Sequence, residues 1–513
     1  MQNLKETKSA VSAAPPSAVS AAPSAPAAAA PSPSDTKIKS VSTTPVILLP
    51  AHTNPWWQRD NVVSSLLLLL SNDGDACRSS HYVYDINTVK TRCQQLNDAL
   101  TTCTTTTSTT TTSECTTRPC LTGGLLYAMK ANPHPEILRA IAQCHLCPPL
   151  TSSTSTSSTT TTSIPPFGIE CVSIEEVRRA RTILGSSGRI QFTPNFCPVI
   201  EYAEAYRMGA TVVIDNIEIL RLHPDIFFGK EVGLRVDPHA QTEMENAKHG
   251  HHTHVRTSGG KQKFGMPISE AATAAAEARE KHGVTVTGIH VHVGSGVLDP
   301  TVWLETSKQI CSLILHGFMS RTLDSPLDSP LDSPIMMYKR KHEFEHVNWI
   351  DIGGGLGIEL DLFGLRDALM PISILLDQQV TPPISMRMEP GRYVVAESGV
   401  LLTHVTQIRR KNKRTFVGVA TGMNSLIRPA LYQATHAIHN LSKLQEKSSM
   451  LCDVVGPICE SADVLGSARM LPSTTMPGDV LLIEHGGAYG HCMSSHYNLR
   501  TPATEIVIDS SMC

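Results

Sequence analysis

The chain has 513 residues, with 43 Lys and Arg against 46 Asp and Glu, and 41% of it is apolar. That length can bury a core large enough for more than one domain, and near-neutral charge argues against a nucleic-acid binder, which needs a basic face. The longest apolar runs are five residues, 66–70 among them, far short of the roughly 20 that a membrane-spanning helix needs.

Composition is uneven along the chain. Residues 9–34 hold only Ser, Ala, Val and Pro; residues 101–112 are Thr apart from Cys103 and Ser108; residues 151–163 are all Ser or Thr; residues 323–334 are three copies of Leu-Asp-Ser-Pro. None carries the apolar area that would offset its ordering entropy, so roughly 450 residues are expected to fold. The first arginine is Arg59, and no apolar signal core precedes it, so the default reading is a cytoplasmic protein. The irregularly spaced cysteines then read as reduced thiols. Cys115, Cys120, Cys144 and Cys147 could frame a zinc ion. However, Pro148 and Pro149 offer no backbone N–H to a metal-bound sulfur, and Cys115 ends a Thr tract, so no metal is expected. Gly250-His251-His252-Thr253-His254 fits no common ligand spacing and reads as a loop.

In chain order, a disordered tail is expected over 1–45. Residues 46–49 and 82–84 read as short strands of an N-terminal segment, 46–87, that contributes to a β domain. Over 88–390 the pattern alternates. Strands are expected at 125–129, 169–172, 190–192, 211–214, 232–236, 286–293, 347–352 and 386–389. Helical spacing falls between them at 134–144, 174–184, 199–208, 217–222, 268–282 and 301–318. Strands alternating with helices mean a parallel sheet, and about eight such units fit a (β/α)8 barrel, with a doubly wound open sheet as the competing arrangement. The inserts 101–119, 151–163 and 321–334 fall between elements, where extra length costs little. From 391 to 513 the pattern turns β-like, at 400–408, 415–419, 480–483 and 505–508, and a mostly β C-terminal domain is expected.

On a parallel barrel, reactive groups gather where strands end. Lys130 directly follows an apolar strand, where partial desolvation would lower its pKa and suit it to Schiff-base chemistry. His290 and His292 share one face of their strand, and Gly294-Ser295-Gly296 after them suits either a phosphate or a structural turn. Gly353-Gly354-Gly355 allows close backbone approach to a phosphate but is not a dinucleotide fingerprint. Glu389-Pro390-Gly391-Arg392 offers an acid for a protonated ring nitrogen and a fork for a carboxylate, or is a polar turn with an ion pair.

Taken together, these strand ends resemble the fold-type III, pyridoxal-phosphate-dependent basic amino-acid decarboxylases, over about 46–508. Within that group the chain looks most like the diaminopimelate decarboxylases, in particular the decarboxylase half of fused aspartate kinase/diaminopimelate decarboxylases. The closer likeness rests on Phe192-Thr-Pro-Asn-Phe196, Gly250-His-His-Thr-His-Val-Arg-Thr257, the run from Val419 to Tyr432 and Gly456-Pro-Ile-Cys-Glu460. The resemblance implies that Lys130 carries pyridoxal 5'-phosphate covalently, His292 stacks on its ring, and Glu389 pairs with the ring nitrogen. Ser295, Gly353, Gly354, Gly355, Gly391 and Arg392 would take the phosphate. Arg392, Arg428 and Tyr432 would hold substrate carboxylates, Glu460 the distal amine, and Tyr489 both phosphate and substrate. Cys459 would return the proton. Because Cys459 and Glu460 reach the other subunit's site in the family, a homodimer with shared sites is implied. The expected reaction is decarboxylation of meso-diaminopimelate to L-lysine, with no nucleic-acid or membrane partner. A decarboxylase for ornithine, arginine or a carboxylated polyamine is the alternative enzyme. A catalytically silent regulatory homologue is the alternative of another class, although such proteins tend to lose the Lys or the Cys present here. Two departures from the family are Ala462 for a Gly and Thr501 before Pro502.

Overall fold

The computed structural model describes residues 55–71, 79–101, 120–144, 167–238, 262–316, 338–339 and 341–511. The expected tail, the strand at 46–49, the low-complexity inserts after residue 101, the 250–257 motif, Cys115 and Cys147 all lie outside the described residues.

Eight strands follow one another in parallel: Gly124–Ala128, Gly168–Cys171, Ile190–Phe192, Thr211–Ile214, Glu231–Asp237, Thr285–His290, Trp349–Asp351 and Ser385–Met388. Each pairs with the next, and Ser385–Met388 pairs back onto Gly124–Ala128. That last pairing closes the ring, so the arrangement is a (β/α)8 barrel and not an open sheet. The outer helices begin and end on local signals. Ser173 accepts the Glu176 N–H at the start of Ile174–Leu184, and Gly185, at φ 69°, ends it. Apolar faces such as Ile137, Leu138 and Ile141 pack each helix onto the strands.

The barrel interior departs from the usual branched-aliphatic filling. Register aligns Arg235, His290, Asp351 and Arg387 across four adjacent strands, and Glu170 with Gln191 across two more. All six are buried. Toward the strands' N-terminal ends, the Trp349 ring lies across Gly233 and Gly288, where an added Cβ would come within 2.4 and 1.9 Å of it. The Arg387 guanidinium stacks on the same ring at 3.7 Å.

An eight-stranded sheet holds Ser80–Asp85 together with seven strands from Gly399–Lys411 to Thr504–Ile508. Ser80–Asp85 runs antiparallel to Gly399–Lys411 and parallel to Thr504–Ile508, so the segment before the barrel is woven into the sheet that follows it. The helix Asp60–Ser71 adds Val62 and Leu66 to a small core with Trp57, Val400 and Leu482. Three strands of the sheet, Ile438–Asn440, Ser448–Val455 and Val464–Pro472, had no clear sequence signal. Among the described residues no helix is long and apolar enough to cross a membrane.

Candidate active site

A cavity of about 410 Å³ opens at the C-terminal ends of the barrel strands. Lys130, His292, Ser295, Gly355, Glu389, Gly391, Arg392, Tyr432 and Tyr489 line it. Lys130 sits in the short turn Met129–Ala131 directly after the first barrel strand. Its Nζ lies 2.6 Å from Glu170 Oε2, and Thr193 donates its hydroxyl to the other Glu170 oxygen. The expectation of a lowered Lys130 pKa is overturned. Burial does act against its charge, but the carboxylates of Glu170 and Glu389 outweigh burial and hold the ammonium above its ordinary range.

Glu389 directly follows the last barrel strand and is buried. Burial, then the neighbouring Glu170, pushes its carboxyl up to about 8. Asp351 is pushed up to about 7 by burial and then by Glu389. Gln191 bridges the two, donating from Nε2 to Asp351 Oδ2 and to Glu389 Oε1, each at 2.8 Å. His290 Nε2 lies 3.3 Å from Glu389 Oε2, and burial drives this imidazole down to about 3. Both His290 and His292 face the cavity, as strand alternation predicts. His292 Nδ1 accepts the Gly354 N–H at 3.2 Å, and burial holds its pKa well below the usual value.

Two glycine turns form one wall. Val297 N–H donates to the Gly355 carbonyl at 2.8 Å, and Gly357 N–H returns the bond to Val297 at 2.8 Å. Gly353, at φ 69°, could not carry a Cβ without meeting the Val291 carbonyl oxygen at 2.3 Å. Arg392 donates from Nη2 to Ser295 Oγ at 2.9 Å and lies over the Tyr489 ring at 4.9 Å. Tyr489 N–H is tied to the Ala131 carbonyl at 2.8 Å, which fixes the sheet-borne ring beside Lys130. Arg428 and Tyr432 are the ends of one short helix. Tyr432 lines the cavity; Arg428 is not in its wall but stands close enough that Arg392, after burial, helps lower its pKa to about 10.

Cys459 and Glu460 are not brought to this cavity. Both are exposed, on the turn between Ser448–Val455 and Val464–Pro472. Asp463 anchors that turn by accepting the Met423 and Ile458 N–H groups, and Asn498 Oδ1 accepts the Cys459 N–H at 2.7 Å. Ala462 is not among the residues of positive φ, so the turn closes without glycine there.

The family model for the pyridoxal-dependent decarboxylase, C-terminal sheet domain, matches residues 81–487. The chain belongs to this family. It is 32% identical over 353 residues to the diaminopimelate decarboxylase of Methanothermobacter thermautotrophicus, covering 66% of this chain and 74% of that protein. With the enzyme of that name from Aquifex aeolicus it shares 27% over 389 residues, 75% of this chain and 81% of the relative. The crystal structure of diaminopimelate decarboxylase from Helicobacter pylori complexed with L-lysine superposes with a TM-score of 0.64 at 25% identity, covering 86% of this chain and 93% of that one.

Four wall and floor residues escaped the sequence reading, Glu170, Gln191, Arg235 and Phe264, while Thr193 and Asn195 were noted only as part of the 192–196 motif, with no role. A usable signal was present for three of them. Glu170 lies between Ile169 and Cys171, Gln191 between Ile190 and Phe192, and Arg235 between Leu234 and Val236, all inside buried strands. A polar side chain at the centre of a short apolar strand must have a buried partner.

Proposed function

We propose that this protein is a pyridoxal 5'-phosphate-dependent decarboxylase that converts meso-2,6-diaminopimelate to L-lysine and CO2. One observation carries the reading: an amine, a buried carboxylate and a guanidinium, Lys130, Glu389 and Arg392, line one cavity, with Arg428 standing near Arg392. The residues fit the cofactor. Arg392 Nε and His290 Nδ1 are buried without a hydrogen-bond partner among the described residues, and the space beside Gly294 and Gly296, on either side of Ser295, is open. When bound, pyridoxal phosphate supplies a sink for the electron pair left behind by CO2.

The chain's own groups would do the rest. Lys130 would hold the cofactor, Glu389 would pair with its ring nitrogen, and His292 would stack against its ring. Ser295, Arg392 and the turns at Gly353–Gly355 and Gly391 would take its phosphate, with Tyr489 closing over it. Arg428 and Tyr432 would orient a carboxylate; two guanidiniums suit a substrate with two carboxylates better than ornithine or lysine, which lack the distal one. Cys459 would return a proton to the carbon that loses CO2, and Glu460 would bind the distal ammonium. Because both residues are exposed and outside their own subunit's cavity wall, they are assigned to the neighbouring site of a homodimer. The free thiols of the described cysteines suit a reducing cytoplasm.

Purified protein is incubated with pyridoxal phosphate and meso-diaminopimelate, ornithine, lysine or arginine in turn, and CO2 and lysine are measured. Turnover of diaminopimelate alone is expected; turnover of ornithine without it sinks the substrate assignment. Mixing inactive Lys130→Ala with inactive Cys459→Ala chains should restore part of the activity, and failure to do so breaks the shared-site reading.

A further inference from the structure

Gln191 has no place in the chemistry above, yet it occupies the centre of the barrel floor. It is fully buried. Its Oε1 accepts from Arg387 Nη1 at 3.0 Å. Arginine can only donate, so this bond fixes which way the amide points. The amide nitrogen is thereby aimed at the two carboxylates, with one N–H for Asp351 Oδ2 and one for Glu389 Oε1, each at 2.8 Å. Arg387 is itself held by its stack on Trp349 at 3.7 Å, and Asp351 by the Gly353 N–H at 2.9 Å. The result is a rigid strut running from Trp349 through Arg387 and Gln191 to Glu389.

We propose that Gln191, oriented by Arg387, is a positioning residue that fixes the Glu389 carboxylate and sustains its negative charge, and so keeps the cofactor's ring nitrogen protonated. This inference rests on the proposed pairing of Glu389 with that nitrogen. Without a donor at Oε1, Glu389 would face Glu170 and Asp351 with only the longer contact to His290. Burial and then Glu170 already favour the protonated carboxyl, and a neutral Glu389 cannot hold a proton on the ring nitrogen. Lys130 and Arg235 oppose that shift through their charge, while among the described residues Glu389 is contacted by Gln191 Nε2 at 2.8 Å and His290 Nε2 at 3.3 Å. Among the described residues, Gln191 is the group that donates a hydrogen bond to both Glu389 and Asp351.

The test uses holoenzyme carrying pyridoxal phosphate labelled with ¹⁵N in the ring, read by ¹⁵N NMR alongside the cofactor dissociation constant, kcat and KM. Gln191→Leu keeps the volume and removes both polar ends. It is expected to move the ring-nitrogen shift toward the unprotonated value, weaken cofactor binding about tenfold and lower kcat more than it raises KM. Gln191→Asn keeps the amide but is one methylene short, and should move the same readouts by less while preserving the buried polarity needed to fold. Glu389→Gln is the control. If Glu389→Gln moves the ¹⁵N shift and neither Gln191 variant does, the positioning role is overturned alone. If Glu389→Gln leaves the shift unchanged, the ring-nitrogen pairing is wrong and this inference falls with it.

Discussion

The two mouths of the barrel both hold cavities, and the larger one is at the wrong end for catalysis. The N-terminal mouth encloses about 680 Å³ among Arg189, Trp349 and Arg387, against about 410 Å³ around Lys130 at the C-terminal mouth. Arginines line both, so neither volume nor positive charge separates them. The difference lies in what the cations face. At the N-terminal mouth Arg189 is spent on backbone, bonding the Gly123 and Leu125 carbonyls, and Arg387 on Trp349 and Gln191. At the C-terminal mouth Lys130 is paired with Glu170, and it shares the cavity with Glu389, whose carboxyl burial has pushed toward the neutral form. Mismatched titratable groups of this kind mark a working site better than size does.

The largest effect that can test this contrast is Lys130→Ala. It should remove the absorbance of bound cofactor and bring turnover to background. A variant that kept either would detach the chemistry from this mouth. Next is Arg428→Met. Losing a charged hydrogen-bond donor to a carboxylate is worth about 1.5–3 kcal/mol, so KM for diaminopimelate should rise about 10- to 100-fold, with a smaller change in kcat. The same change relieves the repulsion from Arg392, so urea stability should hold or rise. A drop in stability with unchanged KM would make Arg428 structural.

That contrast was only half legible in the sequence. The eight barrel strands showed as apolar runs because parallel strands are buried on both faces, and the glycine turns and Lys130 stood at their ends. Closure was expected only from the count of about eight units, with an open sheet still competing, since it depends on the first and last strands meeting, 124–128 with 385–388, which no local pattern encodes. The same holds for the floor. Glu170, Gln191 and Asp351 lie far apart in the chain and acquire meaning only when the ring brings them to one level. The N-terminal helix Asp60–Ser71 was visible only as a leucine run, because its partner face is built from strands hundreds of residues later.

At the N-terminal mouth the expected effect is on stability. Arg189→Met leaves the Gly123 and Leu125 carbonyls without their charged donor and should cost about 1–3 kcal/mol in urea unfolding. Both kcat and KM should stay within about twofold of wild type. A selective loss of turnover, with stability intact, would place function at both ends and dissolve the comparison.

The last effect is a change of slope with pH in the cofactor-free protein, and it reports on the C-terminal floor. Asp351 rises from 3.8 to about 7 on folding, first through burial and then through Glu389. The folded state therefore binds this proton more tightly than the unfolded one. The stability it contributes is full below the unfolded value and is lost as pH climbs through about 7. His290, lowered to about 3 mainly by burial, acts in the opposite sense, its contribution being lost as pH falls below its ordinary range. Asp351→Asn removes the first limb, so the variant should gain on wild type from the ordinary Asp range up to about pH 7, read as urea unfolding at a series of pH values; His290 loses a carboxylate that helped hold its proton, and Glu389, pushed up to about 8 beside Asp351, titrates at the upper edge of this window. Glu176, also pushed up to about 7 by burial, titrates in both proteins and cancels in the difference. Arg387 at the other end titrates near 10, above this window. A difference between variant and wild type that does not change with pH would mean Asp351 is charged throughout and that Gln191 bridges two full carboxylates; a rising difference ties the titration to the floor beneath Lys130.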